Sequence, residues 1–230
     1  MRRGFTLLES LVTIAVFGGL VVFLFGVFSV GASGFKVGTN RLELQSEMRR
    51  VLTPLRKDLQ NSSFQTMSSV AVSTNVPQNP PFPSPGLDVQ RDGICMNGLR
   101  NLNSESSYDS ETGLPVWDCF ICYFGTLDSP DGKMVRMLLR DPSHDVVGTP
   151  RSLSAGDLSL SNPDLLNGGV KVLSDELMEF GVSLDNSNQL VRLHLKLRSK
   201  AGHQQMGGRS LVEVLEIQTT VDPINTHPRL

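Results

Sequence analysis

Net charge is almost absent from this chain: its 230 residues sum to −2 at neutral pH. No global field therefore draws it to nucleic acid or to an acidic surface. Aromatic residues are sparse, at 6%, with a single tryptophan, Trp117. Three cysteines are too few for a disulfide framework, though enough for one bridge and a leftover thiol. No glycine-rich phosphate loop occurs, and the four histidines, His144, His194, His203 and His227, are scattered outside any zinc or nucleophile constellation. The chain is accordingly read as a non-enzyme with no cofactor and no metal. Its length still suffices for one ordinary domain with a real core and extra elements.

The most informative absence lies near the N-terminus. From Ser10 to Phe35 no residue is charged. As a helix this run would span about 39 Å at 1.5 Å per residue, enough to cross a hydrocarbon core of about 30 Å. Arg2 and Arg3 precede it, which favours a cytoplasmic N-terminus with the rest of the chain on the far side. The run is longer than the apolar region of a cleaved signal peptide, although the small residues of "VGASG" (30–34) offer a cleavage site for that alternative. A plain anchor would account for the arginines and the apolar run, but not for Glu9 within the first turns.

Apolar residues continue at helical spacing beyond the run: Leu44, Met48, Val51, Leu52, Leu55 and Leu59 form one stripe. Residues 5–60 thus read as one long helix, apolar all round in its first half and amphipathic in its second. Pro54 is expected to bend it. Residues 61–69 read as a polar helix end, and "VAVSTNV" (70–76) as a first strand. "PQNPPFPSPG" (77–86), 97–116 and 141–169 read as long polar connections. "VWDCFICYF" (116–124) and "KMVRMLLR" (133–140) are strand candidates around the hairpin chemistry of "GTLDSPDG". Within that turn, "DSPDG" lacks the ligands of a full calcium loop.

Residues 170–185 read as a strand with a possible helical turn at 174–178. "DNSN" turns the chain, and "LVRLHLKL" then alternates leucines and valine with Arg192, His194, Lys196 and Arg198. That is an antiparallel strand with one buried face. Glu213 and Glu216 on its expected neighbour, 211–221, would neutralise this basic face, so nucleic acid is not expected as a partner. The alternation in 211–221 slips between Val214 and Leu215, as a β-bulge would make it. The fold class is α+β, a long helix half lying on an antiparallel sheet.

"GFTLLE" at 4–9, followed by an unbroken apolar run, resembles the N-terminal signal of type IV prepilins. "LMEFGVSLD", "LVRLHLKL" and the strand ending near "DPIN" are similar to the C-terminal sheets of PilW-type minor pilins and J-type type II secretion pseudopilins. The resemblance implies the type IV pilin fold. It implies a prepilin leader at 1–4, a transmembrane and filament-core half-helix at 5–35, an amphipathic half-helix at 36–61, and a periplasmic sheet domain at 62–230. A prepilin peptidase would cleave between Gly4 and Phe5, and the new Phe5 amine would be N-methylated. Glu9 would pair with such an amine on a neighbouring subunit, so that a charge costly in an apolar core is tolerated only in correct register.

The expected function is that of a minor pilin priming assembly at the filament tip. Its partners would be other minor pilins, the major pilin and an inner-membrane assembly platform. The alternatives are a pseudopilin of a secretion or DNA-uptake system and, remotely, a membrane-anchored exported enzyme. The chain would sit in the inner membrane before assembly and at the pilus tip or cell surface afterwards.

Cys119 and Cys122 enclose two residues in a strand-like setting. Extended residues three apart face opposite sides, roughly 10 Å from each other, beyond the roughly 7 Å that a disulfide spans between Cα atoms. The open readings are a bridge from Cys95 to Cys119 or to Cys122, reduced thiols, and a metal or redox role.

Overall fold

The computed structural model describes residues 7–76, 86–99, 107–111, 115–129, 131–139, 151–152, 154, 156, 169–199, 205–206, 209–210 and 214–223. The chain divides into two compact units, Met1–Glu43 and Leu44–Leu230.

One helix, α1, runs over Leu7–Asn61, 55 residues without a break, and Pro54 lies inside it. In the first unit its large apolar side chains are exposed, Leu8, Ile14, Phe17, Phe23, Phe25 and Phe28 among them. The helix is long and apolar enough to cross a membrane. Its polar interruptions are partly hidden by the helix itself. Thr13 Oγ1 donates to the Glu9 carbonyl at 2.7 Å and Ser33 Oγ to the Val30 carbonyl at 2.8 Å. A hydroxyl satisfied on its own helix places little demand on an apolar environment.

In the second unit, Leu44, Met48, Val51, Leu55 and Leu59 are buried, and Leu52 packs at their margin. This is the stripe read from the spacing, and full burial of each such side chain contributes about 1.5–3 kcal/mol. The buried stripe begins at Leu44 and not at residue 36, because Lys36, Thr39, Asn40, Arg41 and Glu43 fill the intervening turns. After α1 comes a short 3₁₀ turn, Phe64–Thr66, where a polar helix end was expected.

The strands are β1 (Ser68–Val70), β2 (Ser73–Val76), β3 (Leu87–Gln90), β4 (Gly93–Gly98), β5 (Cys119–Gly125) and β6 (Gly132–Leu139). They continue with β7 (Val170–Asp185), β8 (Leu190–Arg198), β9 (Gln205–Met206), β10 (Arg209–Ser210) and β11 (Val214–Val221). Seven form one sheet in the order β1-β4-β5-β6-β7-β8-β11, with every pairing antiparallel. β2 and β3 make a separate two-stranded ribbon, as do β9 and β10. An α+β layout of a long apolar helix followed by an antiparallel sheet is what the sequence led us to expect.

Further expectations need correction. The expected single strand 70–76 is two short ones, β1 and β2, in different sheets. Residues 174–178 are strand, not a helical turn. An irregularity in β7 between Leu177 and Glu179 shifts the register against β8, and others shift β6 against β7. The extra residue there puts Leu177 and Phe180, three apart, in one core with Leu173, and steps of four and then three imitate helical spacing. Another correction is the bulge expected at Val214–Leu215. β11 pairs with β8 in unbroken register from Val214↔Arg198 to Val221↔Val191, and Val214 simply faces outward, 45% exposed.

The middle of the sheet is buried on both faces. Ile94, Met96, Cys119, Ile121 and Tyr123 join the α1 stripe in one cluster. Cys95, Phe120, Cys122, Phe124, Val135, Met137 and Leu139 form a second on the opposite face, with Val70, Val72 and Trp117 at its edge. Strands covered on both sides show no alternation, and β4 is buried at all six positions. This explains why β4 was not legible as a strand and why Asn97, expected in a surface loop, is fully buried.

Candidate functional site

Glu9 stands in the first described turns of α1 and is exposed. Between Leu7 and Phe35 it is the one charged residue. A carboxylate at a helix N-terminus is favoured by the helix dipole. In lipid it costs up to about 3 kcal/mol at a helix centre and less near an end. Gly4 and Phe5 lie outside the described residues.

In the second unit, α1 is tied to the sheet by a polar contact. Asp58 Oδ2 accepts from Tyr123 Oη at 2.6 Å and from Arg136 Nε at 2.8 Å. Burial, then the Asp58 carboxylate, push the Tyr123 hydroxyl far above its ordinary value.

Two adjacent residues between β3 and β4 hold the sheet domain together, and the sequence reading passed over both. The Arg91 side chain is fully buried. Its Nε donates to the Met178 carbonyl and its Nη1 to the Thr126 carbonyl, each at 2.8 Å. Nη2 has no hydrogen-bond partner among the described residues. Burial lowers the guanidinium to about 10, against the raising influence of Asp131 and Asp128. Asp92 accepts from Val72 N through Oδ1 at 3.1 Å and from Val182 N through Oδ2 at 2.8 Å. Burial raises this carboxyl, and the two backbone donors oppose the rise. The one signal available was an Arg-Asp pair set between otherwise strand-like residues.

The basic face expected on β8 is neutralised. His194 Nε2 lies 2.9 Å from Glu216 Oε1, and Lys196 lies 3.9 Å from both Glu179 and Glu216. Arg192 pairs with Asp185 at 2.8 Å. Arg198 is buried, and its Nε donates to Asp131 Oδ1 at 2.8 Å. Glu213 lies outside the described residues. Asp131 thus serves an arginine within the "DSPDG" turn, and Asp128 accepts from Thr126 Oγ1.

A cavity of about 700 Å³ opens beside this face, lined in part by Gln90, Asp92, Ser183, His194 and Gln218. That volume lies in the range of small-molecule sites, yet its one buried carboxylate, Asp92, is committed to backbone donors. Among the described residues no group of three or more His, Cys, Asp or Glu is placed to hold a metal ion.

The three cysteines are buried and none is in a disulfide. β4 and β5 place Cys95 directly opposite Cys122, whereas Cys119 stands opposite Gly98. Cys119 belongs to the α1-facing cluster and the other two to the opposite face.

No family model, no curated protein and no solved structure matches this chain.

Proposed function

We propose that this chain is a pilin-like subunit, a minor pilin of the PilW kind that primes assembly and forms part of a heteromeric complex at the filament tip. The observation that carries the reading is α1. A helix of 55 residues exposes apolar side chains along its first half and buries a stripe in the sheet domain along its second. Exposed apolar surface on this scale calls for lipid or for other helices. Glu9 then has a use in both settings. In lipid it sits near an end, and among packed helices it must find a cation, which the Phe5 amine of a neighbour would supply.

In this reading the N-terminus is cytoplasmic and the sheet domain lies beyond the inner membrane until the subunit enters the filament. A tip position also gives a pre-formed minor-subunit complex a task. The first subunits leave the bilayer with few neighbours, and such a complex supplies them.

Mass spectrometry of the mature protein tests the processing step, with an N-terminus at methylated Phe5 expected. An intact Met1 in the working host, or cleavage near Ala32, overturns it. Glu9→Leu should still insert into the membrane but fail to enter the initiation complex, and wild-type incorporation would rule out charge pairing. Deletion should reduce filament number far more than filament length.

A further inference from the structure

The cysteines carry an inference that the pilin reading does not supply. Cys95 and Cys122 are register partners on neighbouring antiparallel strands. Both side chains belong to the cluster on the face away from α1, and both are fully buried. Directly opposed residues of an antiparallel pair have Cα atoms about 4.5–5.5 Å apart, inside the roughly 4.4–6.8 Å that a disulfide spans. Cys119, the third cysteine, is excluded by geometry. It lies on the other face of β5, opposite Gly98, in the α1-facing cluster.

We propose that Cys95 and Cys122 are a modification site, oxidised to one cross-strand disulfide that clamps β4 to β5, and that Cys119 remains a thiol. For the chain in cells this rests on the sheet domain lying on the oxidising side of the membrane.

The oxidant is a disulfide, either an exported thiol–disulfide exchange protein or a small-molecule disulfide. A thiolate of the pair attacks it and forms a mixed disulfide, releasing one thiolate. The second cysteine thiolate displaces the other half. One protein S–S bond forms, one oxidant S–S bond breaks, and the two thiol protons end on the two leaving sulfurs. The protein pair is oxidised by two electrons and the oxidant is reduced by two. Because both sulfurs are enclosed in a core, exchange takes place before the β4–β5 ladder closes. The folded, reduced protein should resist oxidant.

The test uses the full chain in detergent, reduced, unfolded and refolded against mixed reduced and oxidised glutathione. Remaining thiols are then alkylated. Cleavage after Phe120 separates Cys119 from Cys122 for mass spectrometry. A peptide cross-link joining Cys95 to Cys122, two hydrogen masses lighter than the reduced pair, is expected, with Cys119 alkylated only in denaturant. Cys95→Ser and Cys122→Ser should each abolish the cross-link, and Cys119→Ser should retain it. A dominant bridge containing Cys119, or three alkylated cysteines after refolding, overturns the proposal.

In cells, thiols are trapped at harvest in a strain whose copy carries a C-terminal alkaline phosphatase reporter. An active reporter with the cross-link supports the proposal, and an active reporter with Cys95 and Cys122 both alkylated overturns it. An inactive reporter overturns the membrane topology and not the pairing, which the refolding arm decides.

Discussion

Asp58 of α1 and Arg136 of β6 meet at 2.8 Å, with Tyr123 Oη hydrogen-bonded to the same carboxylate oxygen. All three are at least half-buried, and here a helix whose buried stripe is apolar gains a directional lock on the sheet. Hydrogen bonds to charged groups contribute about 1.5–3 kcal/mol, and a partner left buried alone is penalised. Asp58→Ala should therefore lower stability by roughly 2–3 kcal/mol in chemical denaturation. Tyr123→Phe should lose only about 1 kcal/mol, since the ion pair survives. A loss below about 0.5 kcal/mol for Asp58→Ala, the scale of an ordinary surface change, would contradict the lock.

Asp92 sets a pH dependence whose sign is opposite to that of most paired carboxylates. Burial raises its folded-state value above the unfolded one. The folded state therefore binds more protons than the unfolded state between those two values. The Asp92 contribution to stability is complete below the ordinary carboxylate range and is lost as pH climbs through the raised value. Asp92→Asn should flatten that slope. It should also cost about 1–2 kcal/mol at pH 7, because an amide accepts only one of the two backbone donors, Val72 N and Val182 N. Denaturation midpoints measured from pH 4 to 8 in both proteins check this, and an unchanged slope in Asp92→Asn would remove Asp92 from the account.

Gly132 is required by its neighbour. A Cβ there would stand 1.4 Å from Arg91 Nη1 and 2.6 Å from the Thr126 carbonyl oxygen. Arg91 cannot retreat without giving up its bonds to Met178 and Thr126. Gly132→Ala should cost about 3 kcal/mol or more, as overpacking combined with a broken buried network does. Arg91→Met should relieve part of the clash, so the double variant should be more stable than the two single losses imply. Additive losses in a double-mutant cycle would show that Arg91 is not the obstruction.

The phase of α1 can be tested at two leucines. Leu55 is fully buried and Leu42 is 67% exposed. Leu55→Ala should cost about 2–5 kcal/mol by removing core contacts, whereas Leu42→Ala should stay within about 0.5 kcal/mol. Equal losses would mean that the buried stripe starts earlier than Leu44.

Local periodicity determined much of this molecule. The uncharged run from Ser10 to Phe35 needs no tertiary partner to announce a long apolar helix, because composition alone sets its transfer energy. The stripe from Leu44 to Leu59 and the alternation of β8 were legible for a related reason, each having one face in a core and one in water. The same logic separated Cys119 from Cys122.

What the spacing could not reveal was decided by contacts distant in the chain. β4 is buried on both faces, so its pattern carries no period. Arg91 and Asp92 are defined by carbonyls and amides up to 90 residues away, and their one local mark, two charges between strand-like residues, does not say what they bind. The irregularities of β7 imitated a helical turn, and only the ladder to β6 and β8 distinguishes the two. That Cys95 faces Cys122 follows from the β4–β5 register. A register is a property of two strands together, so neither strand's sequence contains it.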